Sequence, residues 1–561
     1  MNSQKSVLLQ LAKSILILNF FLISSTCVAG NIHNENYYSL KVLDLKCEYA
    51  TNPIGLDIQS PQFSWRIESA NRGTSQSAYQ VIVTDAPMDS SPETNIWDSG
   101  RINSSKSAGI IYDGPQLTSR KRYYWKVKIW DSKNQLAVSI ETSYFETGLL
   151  NQDDWEADWI GRASSWTGRP LYFRCHFQIK KPVKQARAYI SGLGYYELRI
   201  NGEKVGDHVL DPGVTNYDKR VLYATYDITD LLKEDNMIGV IVGAGWYGMP
   251  KLRMQTEIIF TDGTKQIVKT DRSRTPLLNN WKVSFGPIIS SSLYDGELYD
   301  AREERQGWDV VGSINSRGEV IRFTYAPGGQ MSSQKLEPIK VVDTILPISI
   351  TEPIVGTYVI DAGQNLAGWA VIKVKGDQGT EISLKFAELL YDNGTVNQEN
   401  LRQALAEDKY ILKGDGGEFE YWEPKFTYHG FRYIQLEGFP YRPKANDIII
   451  KVVRSAVDTA GDFTCSNDLL NRIHQMVVST EASNLHSIPT DCPQRDERQG
   501  WLNDLTVRIG QALYNFNLSR FYPKFIEDIK DTQKPDGSIY DTAHVEEAII
   551  LLTRLMFAIY Y

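Results

Sequence analysis

A chain of 561 residues that is 42% hydrophobic and 23% charged has the composition of globular domains, roughly three to five of them. That composition excludes a wholly disordered, collagenous or multi-span membrane protein. Its 60 basic against 68 acidic residues leave a net charge of −8, with no basic footprint for nucleic acid. The 31 Tyr, 19 Phe and 13 Trp suit sugar-stacking surfaces as well as β-sandwich cores, and composition alone favours the cores.

Residues 1–29 read as a secretory signal peptide. Lys5 and Lys13 precede an apolar run from Ser14 to Ile23, and Ser24 to Ala29 supply the small residues of a cleavage site. A membrane span needs ~20 apolar residues, so the run points to export, periplasmic or extracellular, with Cys27 as a lipid-attachment alternative. Cys47, Cys175, Cys465 and Cys492 lie far apart without CxxC spacing, which predicts isolated thiols rather than a zinc cluster or disulfide scaffold.

Three β modules follow. From 37 to 150, Phe63, Trp65 and Ile67 alternate with Ser64 and Arg66. Tyr123, Trp125, Val127 and Ile129 alternate in the same way with Tyr124, Lys126, Lys128 and Trp130. This period of two, broken by turn signals, predicts a fibronectin III or immunoglobulin-like sandwich. A second module at 155–335 carries a hairpin signal at Asn201-Gly202. Its Gly243–Gly248 segment lacks the helix and GK[ST] signature of a phosphate loop. A third sandwich module is placed at 336–457, where His429, in the aromatic strand Phe426–Ile434, is expected to be a hydrogen-bonded structural residue.

From 462 the period changes to 3.6, with Ser466 as the expected N-cap. One apolar face then holds Leu469, Leu470, Ile473, Met476 and Val477. Leu505, Ile509, Ala512, Leu513 and Phe516 form a second stripe, and Phe521, Phe525, Ile526 and Ile529 a third that stops at Pro535-Asp-Gly537.

Chemistry is densest in the segment Asp491-Cys-Pro-Gln-Arg-Asp-Glu-Arg-Gln-Gly-Trp-Leu-Asn-Asp504, which holds four carboxylates, two arginines and a tryptophan. Glycoside hydrolysis needs a carboxylic acid to protonate the leaving oxygen and a carboxylate on the opposite face of the ring. Other acids bind sugar hydroxyls, and Trp stacks on a pyranose. Arg495 and Arg498 would stabilise carboxylate charge or hold the loop. Two alternatives stay open from spacing alone: a solvated loop of ion pairs, and a metal site from Asp491, Asp496 and Asp504 that no His joins.

The segment resembles the DCPQRDERxGWxGD hallmark of the bacterial α-L-rhamnosidases of glycoside hydrolase family 78. The resemblance extends upstream. Asp361–Trp369, Phe386–Glu388, Tyr410–Gly414 and Trp422–Tyr433 look like the family's β modules, and Asp211–Tyr217 and Gly245–Gly248 like its N-terminal sandwich. It implies an inverting hydrolase that removes terminal α-L-rhamnose from an oligosaccharide, polysaccharide or glycoside, on an (α/α)6 barrel. Carried over residue by residue, Glu497 would be the general acid, with a raised pKa. Asp491, Asp496 and Asp504 would contact sugar hydroxyls, Trp501 would line the pocket, and Arg495 joins the substrate-binding set. No metal or cofactor is implied at this site; a structural Ca2+ in a β-sandwich is the one metal expectation, without assignable ligands. Asn503 departs from the pattern, where the family has Gly.

The expected fold class is therefore β-sandwich modules followed, at 462–561, by the first helices of an (α/α)6 barrel. Twelve helices of ~11–12 residues need well over ~200 residues, and about 100 follow Asp462. No counterpart of the family's late general-base Glu is found, so this chain alone is expected to be weakly active or inactive. Residues 545–561 depart from the family and read as a buried barrel helix or as a frameshifted or prematurely terminated product. A non-catalytic carbohydrate-binding protein that uses its sandwiches is the competing function, and a different glycosidase or lyase on the same barrel is a third.

Overall fold

The structure, a computed structural model, describes residues 40–543 apart from 88–94, 140–141, 163–167, 272–280, 313–318, 321, 324–326 and 415. The expected signal peptide with Cys27, and the segment 545–561, lie outside the described residues.

In strand Arg122–Asp131, Tyr123, Trp125, Val127 and Ile129 are all buried while their neighbours are half-exposed, as a period of two requires. The strand pairs antiparallel with Gln76–Thr84, setting Trp125 opposite Val83 and Val127 opposite Val81. Phe63 from the facing three-stranded sheet reaches the Trp125 ring at 4.5 Å between centroids, which makes the module a two-sheet sandwich. Arg120 ties it to the next module through Glu257, at 2.6 Å, and Asp154, at 2.8 Å.

The second module packs a seven-stranded sheet on a six-stranded one around Phe173, Ile190, Val240, Met254 and Ile258. Its hairpin turns at Asn201 and Gly202, both at positive φ (52° and 90°), and Ile200 pairs with Glu203. A ten-stranded sheet follows, built on the 18-residue strand Thr357–Val374 between His429–Glu437 and Ile448–Ser455. Strands Ile288–Ser292 and Gly296–Asp300 belong to this sheet, although the sequence places them within the module at 155–335. Gly296–Asp300 runs parallel to Glu407–Ile411. Alternation shows that a strand exists but not which distant strand it meets. His429 is fully buried, stacked on Phe386 at 4.1 Å, with Nε2 3.1 Å from Asp408 Oδ1. It is buried as a structural residue would be, but neither ring nitrogen makes a hydrogen bond among the described residues, so the expected hydrogen bonding is not seen.

Among the described residues three α-helices follow: α1 (Asp468–Ser483), α2 (Leu502–Asn515) and α3 (Phe521–Asp531). By themselves they do not make a barrel. The cap of α1 is Asn467 rather than Ser466: its side chain accepts from the Leu469 and Leu470 amides at 3.0 and 3.3 Å. The predicted apolar stripes are only partly covered. Phe521, Phe525 and Ala512 are buried, but Leu469 is 57%, Met476 67%, Leu513 55% and Ile526 52% exposed. None of the described helices is long and apolar enough to cross a membrane.

A buried charge cluster clamps α3 to the second module. Arg220 reaches Asp528 at 2.8 Å and Asp531 at 2.9 Å. Lys524 Nζ lies 2.7 Å from Asp528 and donates to the carbonyls of Val214 and Ser487. Removing one member of such a cluster leaves the others as buried, uncompensated charges. Asp528→Ala is therefore expected to cost about 3–5 kcal/mol, read as a lower thermal midpoint with loss of amide protection in α3.

Candidate active site

The loop that carries the carboxylates is held from inside by Arg498. This side chain is wholly buried at φ +53°, a conformation that needs compensation in a non-glycine residue. Its guanidinium donates to Leu293 O (2.6 Å), Tyr428 O (2.7 Å), Arg495 O (3.1 Å) and Gln494 O (3.1 Å). The Tyr428 ring lies 4.8 Å from it, and His486 stacks on that ring at 4.0 Å. Burial first, and then the Arg498 charge, push His486 down to about 3, so the imidazole stays neutral. Gly430 lets the strand approach the loop: a Cβ there would lie 2.7 Å from Pro493 Cγ and 3.0 Å from the Gln494 amide nitrogen. At the far end, Gly500 and Trp501 pair with Ala543 and Thr542.

Within this frame the predicted residues separate into two groups. Asp491, Arg495 and Glu497 come together: Arg495 bridges Asp491 Oδ2 at 3.2 Å and Glu497 Oε2 at 2.9 Å. Asp491 also accepts from the Gln499 amide at 2.7 Å, and the Tyr294 hydroxyl donates to the Glu497 carbonyl at 3.0 Å. Buried Asp496 has Arg402 Nε 3.9 Å from its Oδ1. Trp501 is half-buried at the cap of α2, and its Nε1 is buried without a hydrogen-bond partner among the described residues. Asp504 is exposed in the first turn of α2 and makes no ion pair or side-chain hydrogen bond among the described residues. Asn503 lies inside that helix, so the side chain added there meets no positive-φ requirement.

The metal alternative of Asp491, Asp496 and Asp504 is replaced by a different cluster. Atoms of Asp491, Cys492 and Glu497 lie within 4.8 Å of one another. Arg495 already binds both carboxylates, and burial pushes the Cys492 thiol up to about 12, so this donor set fits a cation poorly.

Four family models cover consecutive parts of the chain: an immunoglobulin domain of the Rha78A N-terminal type (42–151), the α-L-rhamnosidase N-terminal domain (181–343), the bacterial α-L-rhamnosidase concanavalin-like domain (352–454) and its 6 hairpin glycosidase domain (458–545). An α-L-rhamnosidase of Formosa agariphila is 36% identical over 93% of this chain and 59% of its own length. The solved α-L-rhamnosidase of Dictyoglumus thermophilum is 43% identical, with a TM-score of 0.85 over 90% of this chain and 59% of its own. The Streptomyces avermitilis enzyme, solved with L-rhamnose, is 27% identical, with a TM-score of 0.84 over 90% of this chain and 66% of its own. The chain belongs to the bacterial α-L-rhamnosidases. It spans about six-tenths of the length of these relatives.

All the predicted site residues fall in the segment matched by the 6 hairpin glycosidase domain. The sequence reading missed Arg402 and Tyr294. Arg402 sits at φ +59° after the short turn Glu399–Leu401 and places Nη2 on Glu497 Oε2. No local pattern marks it, because the two residues are 95 positions apart. From residue types, either Arg495 or Arg498 could stabilise carboxylate charge or hold the loop, and the resemblance places only Arg495 with the substrate; the structure gives the carboxylates to Arg495 and the backbone carbonyls to Arg498.

Arg402 also reverses the expected titration of the acid. Burial alone would raise Glu497, but Arg495 and Arg402 together hold it below the ordinary carboxylate range. Asp491 moves the other way, raised by burial and by the Glu497 charge against the Cys492, Gln499 and Arg495 donors. A depressed folded-state value means that the ion pairs stabilise the fold at neutral pH and lose that contribution as pH falls through it. Arg402→Met is accordingly expected to lower the thermal midpoint modestly at neutral pH. The gap to wild type should close in acid, as a calorimetric pH series would show. Arg498→Met leaves its carbonyls unpaired and is expected to cost about 3–5 kcal/mol, with early proteolysis within 491–500.

Proposed function

We propose that this chain acts on rhamnosides as its relatives' names state, hydrolysing terminal α-L-rhamnose with inversion and with Glu497 as the general acid. The observation that carries the reading is the clustering of Asp491, Arg495 and Glu497 in a loop whose backbone is fixed by Arg498. In this reading the segment from 458 opens an (α/α)6 domain, and residues 1–29 direct export.

Glu497 must be protonated before it can donate to the glycosidic oxygen. While Arg402 and Arg495 share its Oε2 it is held ionised, so the acid role requires Arg402 to release that oxygen as substrate enters. Asp491 is not the opposing base. Its carboxylate lies within 4.8 Å of Glu497, whereas an inverting pair stands ~6.5–9.5 Å apart to admit water. Asp491 and Arg495 instead suit the sugar hydroxyls, and the Trp501 Nε1 becomes a further donor only once substrate uncovers it.

The test is rhamnose release by the purified 561-residue chain from a nitrophenyl α-L-rhamnoside and from a rhamnosyl disaccharide. Glu497→Gln is expected to reduce turnover of the disaccharide by about 10²–10⁴-fold. The loss should be smaller for the nitrophenyl substrate, whose leaving group needs little protonation. Equal turnover by wild type and Glu497→Gln would refute the assignment. Saturable rhamnose binding without turnover would favour the carbohydrate-binding alternative.

A further inference from the structure

A cleft of about 250 Å3 lies between the second module and the ten-stranded sheet, and none of its lining residues belongs to the loop 491–504. Strand Tyr196–Ile200 and the hairpin after it bring Glu197 and Lys204; the sheet brings Trp369, Glu423, Lys425 and Lys451. Most of these charges are matched. Lys425 holds Glu197 at 3.0 Å, and Lys451 holds Glu423 at 2.7 Å, where the Trp369 Nε1 also donates at 2.7 Å. Asp207 on the rim pairs with Lys340 at 2.9 Å.

Lys204 is the exception. Half-buried, it lines the cleft with no hydrogen bond or ion pair among the described residues. Burial pushes its ammonium below the ordinary lysine range; the Glu197 and Glu423 charges oppose that push, and those of Lys425 and Lys451 add to it. The cleft therefore has one cation that no carboxylate contacts directly among the described residues, although the Glu197 and Glu423 charges reach it. It also offers carboxylate oxygens that accept from hydroxyls, and apolar wall from Val341 and Phe426. Its volume is roughly that of eight waters, enough for one monosaccharide.

We propose that this cleft is a second saccharide site, taking a single anionic sugar residue whose acid group pairs with Lys204. A carboxylate or a sulfate ester would supply that group, and the neighbouring glutamates would receive its hydroxyls. The site does not depend on the rhamnoside chemistry of the catalytic loop.

Calorimetric titration of the full chain with sodium glucuronate tests the proposal. Binding is expected in wild type, weakened at least about tenfold in Lys204→Met and partly restored in Lys204→Arg. Glu497→Gln should bind as wild type does, and glucose should not bind. Galactose 6-sulfate separates the two sources: competition with glucuronate assigns an unselective anion site, and failure to compete assigns a carboxylate site. The proposal is overturned if no heat appears up to about 50 mM glucuronate. It is equally overturned if Lys204→Met with an unchanged circular dichroism spectrum binds as wild type does, or if binding disappears in Glu497→Gln.

Discussion

A guanidinium buried without a carboxylate must be solvated by something, and in this chain the peptide backbone does it. Arg498 draws carbonyls from three separate stretches: Leu293, Tyr428 and the loop's own Gln494 and Arg495. Burying an unsolvated cation costs several kcal/mol, so these stretches are held together or the loop does not form. Leu293 and Tyr428 belong to the part of the chain that builds the ten-stranded sheet. The carboxylate loop thus takes its shape from β structure that precedes it by many residues, which gives the β modules a physical role in the site.

The same dependence sets the charge state of the acid. Arg495, two residues away, and Arg402, from the β part of the chain, converge on one oxygen of Glu497. Their combined attraction outweighs burial for Glu497, while burial prevails for Asp491, which has only one of the two guanidiniums. Two carboxyl groups in one loop are driven in opposite directions by which cations reach each. Arg402 and Arg495 together therefore favour the ionised form of Glu497.

The helices are held both through charge and through apolar packing. Phe521 and Phe525 are buried, and the Arg220, Lys524 and Asp528 cluster fixes α3 on the second module. Val478, Leu505, Ile509 and Ile529 also pack against the core, whereas Leu469 and Met476 on α1 and Leu513 on α2 are exposed. Periodicity alone could not show which of these residues are covered. A helical stripe states that one side is apolar, not that something covers it.

Much of the architecture was legible because it is local. Alternation at Phe63 and at Tyr123–Ile129, the Asn-Gly turn at 201–202 and the change of period near 462 each arise from neighbouring residues that share a face or a turn. The motif from 491 to 504 pointed to sugar chemistry through its resemblance to the family hallmark, whereas its residue types alone left an ion-pair loop and a metal site open. What the chain folded alone could decide was every long-range pairing. The assignment of 288–300 to the ten-stranded sheet depends on strand 407–411, and the depressed titration of Glu497 depends on Arg495 together with the distant Arg402. The roles of Arg495 and Arg498 diverge because one meets carboxylates and the other meets carbonyls. Sequence determines what each residue is able to do; distances of a few ångströms between residues far apart in the chain determine which of those things it does.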